Sequence, residues 1–242
     1  MSKPFNTRST TMKEEHKNDT FITPKQNIID LGNYIKNNDI IKYSCFYNKL
    51  LFLDFCCGTG ENKDNIYNNI KDIIIFDKRQ HCYVGSDIDK LELTSNIKNN
   101  IESLKKLIYN KTKSKLSDFK DIIIIMNPPY KIKNIFLKTV IELRREVFET
   151  KKKEYVNNKG YYQDGLIFSY FILLPTASFS SVARKKILQE TEKPFLLANS
   201  KRIQFVDNGS SNLDTAWFCR SDVISCVFEE IVPLIKSNDF VD

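Results

Sequence analysis

The ten residues from Asp121 to Tyr130 constrain the fold of this chain more than any other stretch. They read Asp-Ile-Ile-Ile-Ile-Met-Asn-Pro-Pro-Tyr. A short, unbroken apolar run of β-branched residues is typical of a strand buried on both faces, as in a parallel sheet. The two prolines must end that strand, because proline donates no ladder hydrogen bond and keeps the residue before it extended. We therefore predict a central strand followed by a rigid turn.

The turn itself consists of Asn127, Pro128, Pro129 and Tyr130. We expect it outside the carboxyl end of the strand, which is where open α/β sheets bind their ligands. An amide, exposed proline carbonyl groups and an aromatic ring together suit a planar, polar group that bears nitrogen. The alternative is an ordinary Pro-Pro turn with no ligand, and the tetrapeptide alone does not decide between the two.

Length and charge set broad limits on the function. The chain has 242 residues and a formal net charge of +7. We expect a tail without stable structure at residues 1–19 and a single domain at 20–242, with small insertions at about 145–165 and 206–213 and no large separate target-recognition domain. The positive charge suits a polyanionic partner without requiring one. Lysine and asparagine are abundant throughout, which we attribute to nucleotide bias in the genome, so lysine-rich segments carry little functional weight.

The cysteine and histidine content argues against two classes of protein. The chain has six cysteines and two histidines, and no Cys-x-x-Cys occurs. A zinc site and a secreted disulfide scaffold are therefore disfavoured, and we expect no metal. No signal peptide or membrane-spanning run is visible, so the expected location is the reducing cytoplasm, with no membrane partner.

The first strand and its turn suggest a nucleotide site. Leu50–Asp54 is predicted to be a short buried strand, and it leads directly into Cys56, Cys57, Gly58, Thr59 and Gly60. Glycines in this position allow a tight turn and a close approach of ligand to backbone. A lone Gly-x-Gly is weak evidence for a nucleotide site, but its place directly after a strand favours nucleotide binding. Asp54 is either a cap or an acceptor for a ligand amino group.

Two further acids and one Thr-Pro pair are candidates for the same site. Asp87 ends the next predicted strand, where a carboxylate can bind ribose hydroxyls in a doubly wound sheet, and Asp89 is the fallback. Asp118 precedes the central strand and could accept from an adenine amino group, with Phe119 either flanking the ring or simply in the core. Thr23 is predicted to cap a helix that has Pro24 at its first position. Capping alone would explain Thr23, so a ligand contact stays open.

The rest of the chain alternates strands with helices, which predicts an α/β, doubly wound and mostly parallel sheet. The predicted helices cover 21–34, 63–71, 91–107, 135–148 and 181–190, and the predicted later strands cover 166–174, 195–198 and 214–219. The last of these contains Trp217, which we expect in the core. Residues 151–165 are predicted to form a basic, tyrosine-containing loop that either contacts nucleic acid or is merely solvated.

With this order of motifs, the chain resembles the class I S-adenosylmethionine-dependent methyltransferases, and among them the phage-type N6-adenine DNA methyltransferases. The Asn-Pro-Pro-Tyr motif carries the likeness, and Asp214-Thr215-Ala216-Trp217-Phe218 adds to it. The resemblance implies a seven-stranded Rossmann-like fold, S-adenosyl-L-methionine as the cofactor, and DNA methylation. Whether that methylation belongs to restriction-modification, a phage or another mobile element stays open. It covers most of residues 21–220.

The resemblance also implies roles for individual residues. Asn127 to Tyr130 would be catalytic and would hold the target amine, with Tyr130 stacking on the base. The cofactor would be bound by Thr23, Asp54, Cys57, Gly58, Gly60, Asp87 and Asp118. Phe205, which follows Lys201 and Arg202, is the candidate for stacking on the opposite face of the base or else lies in the core, and Lys201 and Arg202 are candidate DNA contacts. The paired cysteines depart from the usual first turn and put its detailed contacts in doubt.

Other substrates and one other class of protein remain open. Adenine in RNA is an alternative acceptor. The side-chain amide of a protein glutamine is a further possible acceptor. The release-factor glutamine methyltransferases, however, carry a sizeable helical domain before the glycine turn, whereas only some fifty residues precede that turn here. The non-enzyme alternative is a nucleic-acid-binding scaffold on a methyltransferase fold, against which the intact Asn-Pro-Pro-Tyr motif argues.

Overall fold

The structure is a computed structural model of the 242-residue chain. It describes residues 23–38, 49–57, 66–74, 81–85, 93–119, 121–157, 167–179, 195–198, 203–204 and 212–221.

Four α-helices and eight strands make up the described chain. The helices are α1 (Lys25–Asn37), α2 (Ile66–Ile74), α3 (Ile97–Thr112) and α4 (Lys133–Asn157). The strands are β1 (Leu50–Asp54), β2 (His81–Gly85), β3 (Asp121–Met126), β4 (Ile167–Pro175), β5 (Phe195–Ala198), β6 (Ile203–Gln204), β7 (Asn212–Leu213) and β8 (Thr215–Ser221). Two short 3-10 turns, Leu116–Asp118 and Thr176–Phe179, precede β3 and follow β4.

Six of these strands form one mixed sheet in the order β2-β1-β3-β4-β8-β5. Strands β1, β2, β3 and β4 pair in parallel, and β8 runs antiparallel to both of its neighbours, β4 and β5. Strands β6 and β7 form a separate two-stranded ribbon. The α/β architecture expected from the alternating pattern is therefore confirmed.

The sheet is covered on both faces, as its apolar strands require. On the face we call the α1/α2 face, alternate strand residues pack with α1 and α2; examples are Leu50, Phe52, Ile123, Ile125 and Trp217. On the opposite α3/α4 face, the intervening residues pack with α3 and α4; examples are Leu51, Leu53, Ile122, Ile124 and Phe218. Trp217 is 2% exposed, which confirms its place in the core.

Strand boundaries follow the predictions more closely than helix boundaries. Strands β1 and β5 have the predicted limits, and β3 is the predicted Asp121–Met126 run. Helix α4 instead continues to Asn157, so the expected loop that begins at residue 151 is helical in its first half. The apolar periodicity stops near Phe148, but no glycine or proline ends the helix there.

The start of α1 corrects the predicted cap. The helix begins at Lys25, and Pro24 occupies the N-cap position with extended backbone. The carbonyl oxygen of Pro24 accepts a 3.0 Å hydrogen bond from the amide of Asn27. Thr23 is therefore one residue too early to be the N-cap, and its burial at 7% exposure needs another explanation.

Several predictions fall outside the described residues. These are the tail at 1–19, the helix at 181–190, and most of the loop at 206–213. Within the described ranges, no helix combines the length and apolar character needed to cross a membrane.

Candidate functional site at the carboxyl edge of strands β1 and β3

Among the four parallel strands, the strand order reverses between β1 and β3. From β1 the chain passes to β2 on one side, and it then crosses to β3 on the other side of β1. In open α/β sheets the crevice outside the carboxyl ends of two such strands is the usual ligand site. The residues that end β1 and follow β3 are Asp54 and Asn127. The sheet topology therefore brings together two residues that are far apart in sequence.

The register sets the approximate separation of Asp54 and Asn127. Leu53 on β1 pairs with Ile124 on β3. Asp54 is one residue beyond Leu53 and Asn127 is three beyond Ile124. With regular strand spacing and rise, their Cα atoms lie about 8 Å apart. Side chains alternate between the two faces of a strand, so Asp54 is on the same face as Phe52 and Asn127 is on the same face as Ile125. Asp54 and Asn127 therefore belong to the α1/α2 face.

Asp54 is the most deeply buried acid at this edge, with 0% of its surface exposed. Its Oδ1 accepts a 3.0 Å hydrogen bond from the amide of Cys56, which fixes the carboxylate at the start of the turn. Its second oxygen, Oδ2, is also buried. A buried carboxylate is costly unless it meets donors or a cation. This environment suits a ligand group that is positively charged and donates hydrogen bonds.

The Asn-Pro-Pro-Tyr turn is held in place by its own backbone and by α4. The Pro129 carbonyl accepts a 3.2 Å hydrogen bond from the amide of Ile132. The Tyr130 carbonyl accepts a 2.7 Å bond from Lys133 Nζ, at the first residue of α4. Pro128 and Pro129 are buried, and Asn127 is partly exposed. The turn is therefore a firm support for the Asn127 side chain.

Tyr130 lies differently from what its expected role requires. Its side chain is 7% exposed and packs in the core of the α1/α2 face. Stacking on a base would require the ring to leave this cluster. The first helix packs on the same face, and Thr23 directly precedes its first turn. Thr23 and Tyr130 thus belong to one side of the sheet.

Asp118 is not at this site. It ends the 3-10 turn before β3, and β3 begins at Asp121, which pairs with the first residue of β1. The six residues of β3 separate it from Asn127 by about 20 Å. Its Oδ2 accepts a 2.7 Å hydrogen bond from the Lys115 amide, which caps the turn. The structure therefore places Asp118 away from Asp54 and Asn127, and its expected contact with an adenine stays a prediction. Phe119 is fully buried.

The remaining predicted site residues lie outside the described ranges. Gly58 and Gly60 follow the last described residue of the first turn, Cys57, and Asp87 lies two residues after the end of β2. Lys201, Arg202 and Phe205 flank β6. Cys57 itself is partly buried, as are Cys56 and Cys82, whereas Cys219 is buried; none of these four forms a disulfide.

Sequence reasoning missed an aromatic pair beside Asp54. The rings of Tyr67 on α2 and Tyr83 on β2 are stacked, with centroids 4.1 Å apart and planes 11° from parallel. Burial, then the negative charge of Asp54 and the neighbouring Cys57, raise the pKa of Tyr83 above its usual range. The signal in the sequence was a tyrosine two residues before Gly85, on the same face of a predicted strand.

Two other features bear on ligand binding. Among the residues described, no cluster of three or more His, Cys, Asp or Glu side chains is arranged to hold a metal ion. A cavity of about 520 Å³ is bordered by Lys105, Tyr109 and Glu146. These residues lie on α3 and α4, on the face of the sheet opposite to Asp54. The cavity is therefore separate from the candidate site.

Comparisons with known proteins add no assignment. A scan against models of protein families found no match, and a search of curated proteins found no similar sequence.

Proposed function

We propose that this protein is an S-adenosyl-L-methionine-dependent methyltransferase that methylates the exocyclic N6 amine of adenine in DNA. One observation carries the proposal: a buried carboxylate, Asp54, and the Asn-Pro-Pro-Tyr turn lie at the same edge of two paired strands, at the reversal of strand order. A methyl transfer needs a cofactor site and an acceptor site within a few ångströms of each other. This edge offers a candidate for each.

The proposed fold is the seven-stranded, Rossmann-like sheet of class I methyltransferases. The six-stranded order supports it, with its reversal beside β1 and its antiparallel strand β8 between β4 and β5. Asp54 fits the cofactor, because the methionine part carries a cationic amino group that can pair with a buried carboxylate. In this proposal Cys57, Gly58 and Gly60 border the methionine part, Asp87 binds the ribose, and Thr23 lies nearby.

Adenine N6 is a weak nucleophile, because its lone pair is delocalised into the ring. The side-chain oxygen of Asn127 and the carbonyl oxygen of Pro128 would accept hydrogen bonds from the two N–H groups of this amine. These bonds would draw the amine toward tetrahedral geometry. The lone pair then points along the line of attack. When bound, the cofactor would supply an electrophilic methyl group, and the C–S bond of that group would break as the new C–N bond formed. The amine releases one proton to solvent.

The acceptor must be outside a base-paired stack to reach this edge, so the proposal includes base flipping. In the proposal Tyr130 leaves the α1/α2 face and stacks on the flipped base. The formal charge of +7 is compatible with a phosphodiester partner. Lys201, Arg202 and Phe205 are proposed DNA contacts on the strength of the resemblance alone.

The direct test supplies methyl-labelled S-adenosyl-L-methionine with three acceptors in parallel: adenine-containing DNA, RNA of the same sequence, and a glutamine-containing release-factor protein. We expect label in DNA, recovered as N6-methyladenine after digestion to nucleosides. Label found only in RNA, or only in the protein, would identify that acceptor as the substrate instead of DNA. Failure to bind the cofactor and to label any acceptor would overturn the proposed class.

A further inference from the structure

The cavity between α3 and α4 has the dimensions of a ligand site. Its volume is about 520 Å³, and its lining comes from α3, from the 3-10 turn before β3 and from α4. Sites for small molecules usually have volumes of about 300–1,000 Å³. Because the 3-10 turn leads into the start of β3, the cavity is near the amino edge of the sheet, whereas Asp54 and Asn127 are at the carboxyl edge. A ligand in it would be neither the proposed cofactor nor the proposed acceptor.

Tyr109 gives this cavity an accessible aromatic ring. The residue is 51% exposed, and among the residues that the structure describes it is the one large apolar side chain left exposed. Two buried apolar residues, Leu116 of the 3-10 turn and Val147 of α4, line the same cavity. The ring is therefore available to stack on a planar ligand in an apolar setting.

Positive charge borders the ring. Lys106 and Lys115 also line the cavity, and Lys106 is one helical turn before Tyr109, on the same side of α3. Lys105 is already paired with Glu146 of α4. No ion pair within the described ranges involves Lys106 or Lys115. The lining thus carries an excess of positive charge, which a bound anion would neutralise.

We propose that this cavity binds a nucleotide, with the base stacked on Tyr109 and the phosphate paired with Lys106 and Lys115. A nucleotide combines the two groups that the lining matches, a planar ring and an anionic phosphate. Lysine is abundant in this chain, so the charge alone would not carry the proposal; the exposed ring in a cavity of ligand size does. The site does not depend on methyl transfer, because it lies on the face of the sheet opposite to Asp54.

The test measures binding of deoxyadenosine monophosphate by calorimetry. We expect Tyr109→Ala to weaken binding by at least about fivefold, which is the lower end of what stacking of one base contributes. Tyr109→Phe keeps the ring and should bind like the wild type. Asn127→Ala should also bind like the wild type, which separates this cavity from the proposed acceptor site. Circular dichroism confirms that each variant is folded.

The two lysines are tested together. The double variant Lys106→Gln, Lys115→Gln should bind deoxyadenosine monophosphate about fivefold more weakly, with binding of deoxyadenosine unchanged. Added salt should weaken binding of the monophosphate to the wild type more than to this variant. The matched control, Lys98→Gln with Lys138→Gln, removes one exposed lysine from each helix outside the cavity and should bind like the wild type.

Two sources offer this chemistry, a free nucleotide and a nucleotide within a DNA strand. A short single-stranded oligodeoxyadenylate distinguishes them: tighter binding of the oligonucleotide than of the monophosphate, lost in Tyr109→Ala, would identify a strand, and the reverse order a free nucleotide. Unchanged binding of both probes in Tyr109→Ala, or no binding of either to the wild type, would overturn the inference. Failure of the labelling experiment alone would overturn the proposed function and leave this site in place.

Discussion

The side-chain amide of Asn100 on α3 donates a 3.1 Å hydrogen bond to the hydroxyl of Thr139 on α4. Both residues are buried, with exposures of 1% and 0%. The same amide group donates to the carbonyl of Thr94 at 2.9 Å, and its oxygen accepts from the Thr94 amide at 2.8 Å. One buried side chain thus joins the two helices of the α3/α4 face to the loop before α3.

Removing that side chain should destabilise the fold. We expect Asn100→Ala to lower the free energy of unfolding by about 2–3 kcal/mol, because it leaves buried donors and acceptors without partners. Thr139→Val removes one partner only and should cost about 1 kcal/mol. Urea denaturation measures both values. The neighbouring Asn99→Ala, on the exposed side of α3, is the control and should change stability by less than about 0.5 kcal/mol.

Gly32 sets how closely α1 approaches α2. A Cβ at position 32 would lie 2.8 Å from Ile70 Cγ1 and 3.2 Å from two atoms of Ile73. Alanine favours a helix over glycine by about 1 kcal/mol, but overpacking costs about 1–3 kcal/mol. We expect Gly32→Ala to be destabilising by about 1 kcal/mol net in thermal unfolding. A stabilised variant would mean that the helices move apart without cost; exposed Asn33→Ala is the control.

Asn127 is predicted to act on the acceptor and not on the cofactor. Asn127→Ala removes the amide oxygen but leaves the Pro-Pro turn, so methyl transfer should fall by at least about 100-fold. Binding of S-adenosyl-L-methionine should be unchanged, since the carboxylate of Asp54 lies on the neighbouring strand. Labelled transfer and calorimetry separate the two effects. Asn110→Ala, an exposed asparagine on α3, is the matched control, and transfer by Asn127→Ala at the wild-type rate would refute the mechanism.

The raised pKa of Tyr34 predicts that the fold loses stability at high pH. Burial, and then the neighbouring Cys219, raise the pKa of Tyr34 to about 12. In the unfolded chain this tyrosine ionises near its ordinary pKa of 10. The stability that the protonated Tyr34 contributes to the fold is therefore complete below pH 10 and is lost as the pH rises toward 12. The slope is no more than about 1.4 kcal/mol per pH unit for this one group, and less because the side chain is partly exposed. Urea denaturation at pH 8, 10 and 11 measures it.

The control for this pH dependence is Tyr34→Phe. That variant should lose less stability between pH 10 and 11 than the wild type does. The difference will be partial, because Tyr83 and Cys219 also have raised pKa values and contribute with the same sign. Identical slopes for the two proteins would show that Tyr34 ionises in the folded state as it does in the unfolded chain.

Local sequence patterns were sufficient for three strands, including the two that border the site. Leu50–Asp54, Asp121–Met126 and Phe195–Ala198 are short apolar runs with charged, glycine or proline boundaries, and these limits depend only on neighbouring residues. The same reasoning placed the Asn-Pro-Pro-Tyr turn after β3. Helix ends were less predictable: α4 runs past Phe148, where its apolar periodicity stops, to Asn157, because no glycine or proline stops it.

The sequence by itself determined the α/β class, the buried central strand, and a turn that carries Asn127. Only the tertiary structure decided which strand ends meet, because strand order depends on pairing between distant segments. That order brings Asp54 beside Asn127 and leaves Asp118 at the opposite edge. It also buries Tyr130 and places the hydroxyl of Tyr83 over Gly85. Side-chain direction and packing against other strands and helices fix these positions, and no local pattern in the chain encodes them.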